Sequence, residues 1–585
     1  MLRKRSARYK RDLPDFGKGQ GLLKAELKEP TRGQDGESGG LLRALGGSRR
    51  ELLLGGATAV VSMLFVAAFA RNYWFRYDNF LLLTNRRFGR VDDWFRPHLD
   101  HWLTWTVLLS RGLFGLVGMH YWPWWYVPRL IGHALVAFLV WRTVLHRGAD
   151  RKIAFAVYLI LLVLAVSSFL DALTAANYVL FPCIVVVTLL VSEVEAPRAR
   201  HLVVVGVGLL AAVMANGYGI ALLVAVALVV TARRRLRRWL PALVPPFVAV
   251  GAWYLRYRSQ LPRHDHSLSP SFAFKAMTSS FDVVRTAVEN TFGLPGPLAV
   301  LAVVAIAGLL VWLSYRHRLD MFDAIIALNL VFVLATLAWA RTTVADLAEN
   351  SRYGYSVILM LTLLFVPRLR LPAARVARTA FAFVLVALVV FNAVSLSRRL
   401  EQIGRVSQSI RARAETTAAL IAAGEPYTYN STVRMSVTGG VGPRLMQELV
   451  NGGWKPRRST DAAVVQRARA LMRGVIMGDP SRRVYYADDH VAPGAVDVDD
   501  SGCVRLTKPT LVRLQVTGAG SFSVDRRALV TWNDLRGTDE KLVEPGVIGL
   551  TRPVGKATVT VRTGGGPTNI CSLERVAKPT PAARN

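Results

Sequence analysis

The stretch "LLLGGATAVVSMLFVAAFA", from Leu52 to Ala70, contains no charged residue. As a helix it would be about 28 Å long, which matches the ~30 Å hydrocarbon core of a bilayer. Shortly after it, from Arg76 to Trp105, comes "RYDNFLLLTNRRFGRVDDWFRPHLDHWLTW", in which acids, arginines, histidines and tryptophans are crowded together. The order of these two stretches predicts a membrane-spanning helix that leads into a polar loop at the membrane surface.

The same apolar pattern recurs along the chain. The 585 residues are 52% hydrophobic, and their mean hydropathy is +0.31. Apolar runs of roughly 15–20 residues alternate with short arginine-rich spacers, which is typical of a polytopic membrane protein. We predict about eleven transmembrane helices, at 52–70, 125–145, 153–170, 178–192, 202–215, 218–232, 239–255, 297–314, 322–340, 354–367 and 379–394.

The formal charge of +34 would suggest a nucleic-acid partner in a soluble protein. Here the arginines follow the positive-inside rule instead, so we expect no nucleic acid. With the N-terminus in the cytoplasm, every predicted inner loop carries at least two Lys or Arg, whereas the outer turns near 171–177 and 216–219 carry none. An odd number of spans places the C-terminal part outside, and we expect a multi-pass protein of the plasma membrane.

Composition divides the chain into three parts. Residues 1–50 are basic and Gly-rich, which predicts a disordered cytoplasmic tail. Residues 51–395 form the transmembrane domain, with a first outer loop at 71–124 and a second outer loop at 256–296. Within the first loop, 98–114 is expected to be a helix lying along the membrane surface.

Residues 396–585 change in character, from an amphipathic helix to short runs rich in Val and Thr between turns. This pattern predicts an extracytoplasmic α+β domain, helical at first and then β-sandwich-like. We find no catalytic motif in it. Cys503 and Cys571 both lie there and could form a disulfide, although sequence does not show their separation.

Four segments occur in a characteristic order: "YDNFLLL", "HLDHWLTWTVLLSRGLFGL", "PRLIGHALVAFLV" and "ENSRYGYSVILML". This succession resembles the GT-C superfamily of membrane glycosyltransferases. It looks most like the branch with protein O-mannosyltransferases, the aminoarabinose transferase of lipid A and many actinobacterial relatives. The resemblance covers roughly 50–395 and implies a GT-C-like helical fold for that part. A comparable outer loop covers the substrate cavity in the relatives, so the resemblance also implies that the loop at 256–296 is a lid.

The resemblance implies an activity and a catalytic base. Such enzymes pass a sugar from a polyprenyl-phosphate carrier to an acceptor on the outer face, and an acid in the first outer loop is the base. That role maps to Asp78. Many relatives have two adjacent acids there, whereas this chain has Asp78 and Asn79, so Asp92 and Asp93 remain alternatives. A single base suffices for one-step displacement with inversion.

A lipid phosphate leaving group needs cations near it, and the guanidinium fork suits phosphate. The candidate substrate-binding residues are Arg352 and Tyr353 at the start of a late span, Arg256 and Arg258 after the seventh span, and Arg96, His98 and His101 in the first outer loop. We expect no cofactor and no metal, although Asp92 and Asp93 could hold a divalent cation weakly. His133, inside a predicted span, is expected to hydrogen-bond to a neighbouring helix.

Two other classes of function fit the same pattern of spans. One is a transporter or flippase for a lipid-linked glycan, and the other is a non-catalytic scaffold for envelope assembly. The sugar stays open among mannose, arabinose and galactose, and the acceptor among protein, lipid and cell-wall polysaccharide. The abundance of Ala, Arg and Val is typical of a high-GC bacterium, which favours an envelope polysaccharide as acceptor.

Overall fold

A computed structural model describes the chain from residue 48 onward, with gaps. The described residues are 48–75, 82–83, 86, 89–98, 101–164, 176–261, 269–316, 319–341, 351–425, 443–462, 464–465 and 468–469, together with the strands between 484 and 575. The segment predicted as a disordered tail lies almost wholly outside them. The described part of the chain is mostly helical.

The helices follow in chain order. They are α1 (Arg49–Ala70), α2 (Val91–Phe95), α3 (Thr104–Val117), α4 (Val127–His146), α5 (Arg151–Leu162), α6 (Asn177–Glu193), α7 (Ala199–Val213), α8 (Gly217–Ala232), α9 (Leu236–Tyr257), α10 (Pro270–Phe292), α11 (Gly296–Tyr315), α12 (Met321–Arg341), α13 (Ser351–Phe365), α14 (Arg375–Ala422) and α15 (Pro443–Asn451). A π-helical turn, Tyr121–Trp125, precedes α4, and a 3₁₀ turn, Val366–Arg368, follows α13.

Five helical segments of the described chain are long and apolar enough to cross a membrane. They are α1, Tyr121–His146, α11, Met321–Trp339 and Arg375–Ala422, and they indicate a bilayer environment. Helices α3, α6, α7, α8 and the segment Tyr353–Arg368 are apolar but only 10–17 residues long. Each of the eleven predicted segments overlaps a helix, but the number of spans stays a prediction because so many of these helices are short.

Ion pairs join the loops at one end of the helices. Asp323, in the first turn of α12, has a side chain only 1% exposed and pairs with Arg147, which follows α4, at 3.3 Å. Arg368, which follows α13, pairs with the other carboxylate oxygen of Asp323. Arg147 also reaches Asp320 at 2.5 Å. Three connections that are distant in sequence therefore meet at the start of α12.

Further pairs extend this end of the molecule. Glu51 of α1 accepts from Arg142 at 3.0 Å, and Glu195 pairs with Arg235 at 3.4 Å and accepts from Arg238 through its carbonyl at 2.8 Å. We call this the basic end, and it comprises residues 48–51, 142–152, 193–201, 231–238, 316, 319–323 and 366–378. The predicted inner loops are 146–152, 193–201, 233–238, 315–320 and 368–378, and their described residues other than 315 all lie in it.

Aromatic side chains join the loops at the opposite end. Helix α9 starts in the basic end, and its 22 residues carry the chain about 33 Å away. There Trp253 Nε1 donates to the carbonyl of Phe95 at 2.7 Å, and Trp105 Nε1 donates to the carbonyl of Ala211 at 3.0 Å. We call this the aromatic end, and it comprises residues 71–75, 89–98, 101–126, 211–217 and 253–257.

Most of the predicted lid loop is helix α10. Ser269 caps its start by accepting from the Phe272 amide at 3.1 Å. The Phe272 ring packs on Trp339 of α12 at 5.3 Å, and near its other end the carbonyl of Thr291 accepts from Asn392 of α14 at 2.7 Å. Helix α10 thus packs against α12 and α14, whereas its role as a lid stays a prediction.

The last predicted span and the amphipathic helix after it form one continuous helix, α14. Its 48 residues correspond to a rod about 72 Å long. The segment after α15 returns to α14, where the Ser459 amide donates to Thr416 Oγ1 at 3.1 Å.

The strands lie in the C-terminal part that was predicted to be β-rich. They are β1 (Val484–Tyr486), β2 (Val496–Val498), β3 (Val504–Leu506), β4 (Leu511–Val516), β5 (Gly520–Val524), β6 (Ala528–Asp534), β7 (Gly537–Val543), β8 (Gly546–Leu550), β9 (Ala557–Thr563), β10 (Thr568–Cys571) and β11 (Glu574–Arg575). One sheet has the order β11-β1-β4-β9-β6-β7 and the other β2-β3-β10-β5-β8. All neighbours pair antiparallel except β1 and β11. How the two sheets pack stays a prediction, and so does the disulfide, because Cys503 lies outside the described residues.

The turn between α7 and α8 depends on a glycine. A Cβ at Gly219 would clash with the carbonyl oxygen of Ala212 and stand 2.5 Å from the amide nitrogen of Val213. We therefore expect Gly219→Ala to lower the free energy of unfolding by about 1–3 kcal/mol, measured by thermal unfolding in detergent. Gly251→Ala on α9 is the matched control, since no atom lies within 4 Å of its Cβ position. Equal stability of the two variants would contradict the close approach.

Candidate functional site

Helix α2, which carries Asp92 and Asp93, is held in place by Arg86. One guanidinium nitrogen of Arg86 donates to the carbonyls of Asp93 at 2.8 Å and Arg96 at 2.9 Å, and the other donates to that of Pro97 at 3.0 Å. Arg86 is only 6% exposed, and burial lowers its pKa to about 10. The group therefore stays cationic at neutral pH, and its fork fixes the short helix and the turn after it.

Helix α9 holds the same segment from a second side. Trp253 donates to the carbonyl of Phe95, and its ring stacks on Trp102 with 5.3 Å between centroids and 3° between planes. Trp102 Nε1 in turn donates to Thr104 Oγ1 at 2.7 Å, and Thr104 Oγ1 donates to the carbonyl of Trp94 at 2.9 Å. The loop with the two acids is thus packed onto the end of α9.

The two acids of α2 have different surroundings. The Asp93 side chain is 5% exposed and pairs with Arg96 at 2.7 Å. The Asp92 side chain is 47% exposed and pairs with Arg256 at 3.4 Å, and Tyr257 donates its hydroxyl to the same oxygen at 2.7 Å. Asp92 therefore presents a carboxylate to solvent, whereas Asp93 is occupied in a buried ion pair.

Tyr257 acts as a fixed donor to Asp92. Burial raises the pKa of Tyr257 to about 12, and the hydrogen bond to Asp92 adds to the rise. The phenol stays protonated at any physiological pH. Arg256 is exposed, with its guanidinium 5.7 Å from the Tyr257 ring centroid, and Arg258, just beyond α9, is also exposed. The structure thus brings Arg256 to Asp92 and Arg96 to Asp93.

The two predicted histidines are paired through their backbones. His98 and His101 exchange two hydrogen bonds, at 2.9 and 3.1 Å. His98 is 5% exposed, and a side chain at Gly217 would meet the His101 ring 3.3 Å from its Nδ1. This bridge fixes the entry to α3, while a role for either ring in orienting the phosphate or the base stays a prediction.

Two of the predicted residues cannot be placed in the site. Asp78 lies outside the described residues, and so does the side chain of Arg352. Tyr353, in the first turn of α13, is 6% exposed. Two residues later, the Tyr355 hydroxyl is 2.9 Å from Nδ1 of His133, which confirms the expected hydrogen bond from His133 to a neighbouring helix.

Arg129, in the first turn of α4, is a buried cation that is not among the predicted site residues. It is 2% exposed and donates to the Tyr121 hydroxyl, and its guanidinium carbon is 5.8 Å from the Trp125 ring centroid. The Phe75 ring contacts both of these aromatic residues at 4.8 Å. The signal was present in the sequence, because an arginine inside a predicted span marks a candidate functional group.

Part of the C-terminal segment lies against the aromatic end. Gly452, just after α15, is so close to Phe114 of α3 that an added Cβ would be 3.3 Å from the Phe114 ring. Arg111 of α3 donates to the carbonyl of Leu83 at 2.5 Å, and it interacts electrostatically with Asp93 and with Glu448 of α15. Burial lowers the pKa of Arg111, and its charge links the first outer loop to α15.

No group of three His, Cys, Asp or Glu side chains within the described ranges is arranged to hold a metal ion. The arrangement at the aromatic end can instead supply an accessible carboxylate with a phenol and a guanidinium beside it. In comparisons with known proteins, no family model, no curated protein and no solved structure matches this chain. The function is therefore inferred from the residues and their geometry.

The role of Arg86 in holding the first outer loop can be tested without knowing the activity. Arg86→Met removes three hydrogen bonds from a charged donor, each of which contributes about 1.5–3 kcal/mol. We expect backbone amides of 89–103 to exchange with deuterium at least about tenfold faster, since 1.4 kcal/mol corresponds to a factor of ten. Arg90→Met, at an exposed position in the same loop, is the control. Equal exchange in the two variants would show that Arg86 does not hold the loop.

Proposed function

We propose that this protein is a membrane glycosyltransferase. It moves a sugar from a polyprenyl-phosphate donor to an envelope acceptor on the extracytoplasmic face, with inversion at the anomeric carbon. The observation that carries the proposal is the accessible carboxylate of Asp92, which accepts from Tyr257 and pairs with Arg256 in a loop fixed by Arg86. The resemblance of 50–395 to the GT-C superfamily supports the same reaction.

The proposed chemistry needs one base. The acceptor hydroxyl attacks the anomeric carbon while a carboxylate takes its proton, and the bond from that carbon to the phosphate oxygen breaks. Asp92 and Asp78 remain the two candidates. Asp92 is favoured over Asp93 because the Asp93 side chain is buried under Arg96, where an acceptor hydroxyl does not reach it.

The position of Arg129 supports a role for Asp78. Asp78 lies outside the described residues, and the nearest described residue before it in the sequence is Phe75. Phe75 contacts Tyr121, the residue to which Arg129 donates. In this proposal Arg129 supplies positive charge near Asp78, and Arg256 and Arg258 supply it near Asp92. In either place the cations would suit a sugar phosphate.

The two ends of the molecule give the proposed orientation. Because basic loops resist translocation, the basic end faces the cytoplasm and the aromatic end faces outward. The acids of the first loop then meet the carrier at the outer surface of the plasma membrane. In this arrangement eleven helices span the bilayer, α10 lies near the outer surface as a lid, and the C-terminal strands lie outside.

Transport is the second candidate, and a specific observation favours it. Arg129 and His133 of α4 are both buried within a segment long enough to span the membrane, and polar groups inside spanning segments are typical of transport pathways. A flippase would move the lipid-linked glycan from one leaflet to the other without breaking a glycosidic bond. In a strain that lacks the protein, the two functions therefore predict the accumulation of different carrier lipids on different leaflets.

Deletion and complementation test the proposal. The deletion strain is expected to accumulate a polyprenyl-phosphate sugar and to lack one glycosidic linkage in its envelope, both measured by mass spectrometry. Complementation with Asp78→Asn or Asp92→Asn, whichever removes the base, should restore the linkage at a rate lower by about 10²–10⁴-fold. Glu401→Gln, at an exposed acid of α14, is the matched control and should restore it fully.

Two outcomes would contradict the proposal. Full restoration by both aspartate variants at wild-type expression would favour a scaffold. Accumulation of the glycosylated carrier on the inner leaflet alone would favour a flippase.

A further inference from the structure

Two neighbouring loops of the basic end carry exposed arginines. The loop before α7 and the loop between α8 and α9 are joined through Glu195, which holds Arg235 and Arg238. Around this contact lies a cluster that we call the arginine patch. It comprises Arg200 at the start of α7 and Arg233, Arg234, Arg237 and Arg238 around the start of α9, all exposed.

Local helix electrostatics disfavour this placement unless an anion is present. Arg200 lies in the first turn of α7, and Arg237 and Arg238 lie in the first turn of α9. A cation at a helix start opposes the macrodipole by about 0.3–1 kcal/mol. The first turns of α7 and α9 contain no acid that would offset it. At the start of α9 the carboxylate of Glu195 already pairs with Arg235, and an external anion would relieve the repulsion that remains at Arg200 and Arg237.

Beyond the patch, exposed apolar side chains of α7 and α9 form a surface that we call the apolar seam. Helices α7 and α9 approach closely at Gly206, where an added Cβ would be 3.3 Å from the carbonyl oxygen of Ala242. Val203 and Val207 on α7 are 62% and 61% exposed, and Val248 on α9 is 64% exposed. Val203 and Val207 lie about one and two helical turns from Arg200. The surface thus offers positive charge at one end and apolar contact below it.

We infer that the arginine patch and this seam form a binding surface for an anionic phospholipid. The phosphate of the headgroup contacts Arg200, Arg234 and Arg237, and the acyl chains lie along α7 and α9. The charged part and the apolar part of the surface match the headgroup and the acyl chains of one molecule. A soluble anion lacks the acyl chains, and in a zwitterionic lipid the cation of the headgroup offsets the charge of the phosphate. The inference is independent of the proposed sugar transfer, because it concerns the opposite end of the molecule.

Native mass spectrometry of the full-length protein in detergent tests this inference. The protein is titrated with dioleoyl phosphatidylglycerol and, separately, with dioleoyl phosphatidylcholine. We expect tight retention of the anionic lipid only. The triple variant R200Q/R234Q/R237Q should bind it about tenfold more weakly, because each basic side chain near an anionic lipid contributes substantially to binding.

The matched control is R370Q/R375Q/R378Q. It removes the same charge from exposed arginines of the same basic end, outside the patch, and should change binding by less than about twofold. An equal loss in both variants, or no loss in either, would overturn the assignment of the site. Displacement of the lipid by excess inorganic phosphate would also overturn it, since the site would then recognise phosphate alone.

Discussion

An uncompensated charge is unfavourable in the apolar part of the helix bundle. The ion pairs of the basic end compensate the charges that lie next to it. Asp323 is almost fully buried, but Arg147 and Arg368 compensate its charge from two other connections. Removing one partner from such a set leaves an uncompensated buried ion, which costs several kcal/mol. These pairs therefore tie together the ends of α4, α12 and α13, and the helices run from this anchor toward the aromatic end.

At the aromatic end a buried cation and a tryptophan are satisfied by backbone carbonyls instead of by carboxylates. The Arg86 guanidinium donates hydrogen bonds to three backbone carbonyls, and Trp253 donates to a fourth. The consequence is that two adjacent acids become chemically different. Asp93 contributes to the fold through Arg96, whereas Asp92 is left with an exposed oxygen that accepts from Tyr257. The approach of α15 to α3 means that the C-terminal segment contributes to the shape of this loop as well.

Apolar length and loop charge predicted the helices and the two groups of loops, because both follow from the cost of transferring charge into hydrocarbon. The number of membrane spans could not be predicted as well, since α6, α7 and α8 are short and their depth depends on packing. The difference in exposure between Asp92 and Asp93 could not be predicted from the sequence either. It arises from Tyr257, 165 positions away, and from Arg96, three positions away. Arg129 could have been found, because a cation inside an apolar run is visible without a structure.

The orientation of the two ends is the claim that a single labelling experiment tests most directly. Arg90→Cys at the aromatic end and Arg370→Cys at the basic end are introduced after Cys183, Cys503 and Cys571 have been replaced by serine. A membrane-impermeant maleimide should label position 90 in intact cells and position 370 only after the membrane is opened. Labelling of position 370 alone in intact cells would place the acids in the cytoplasm and contradict sugar transfer at the outer face.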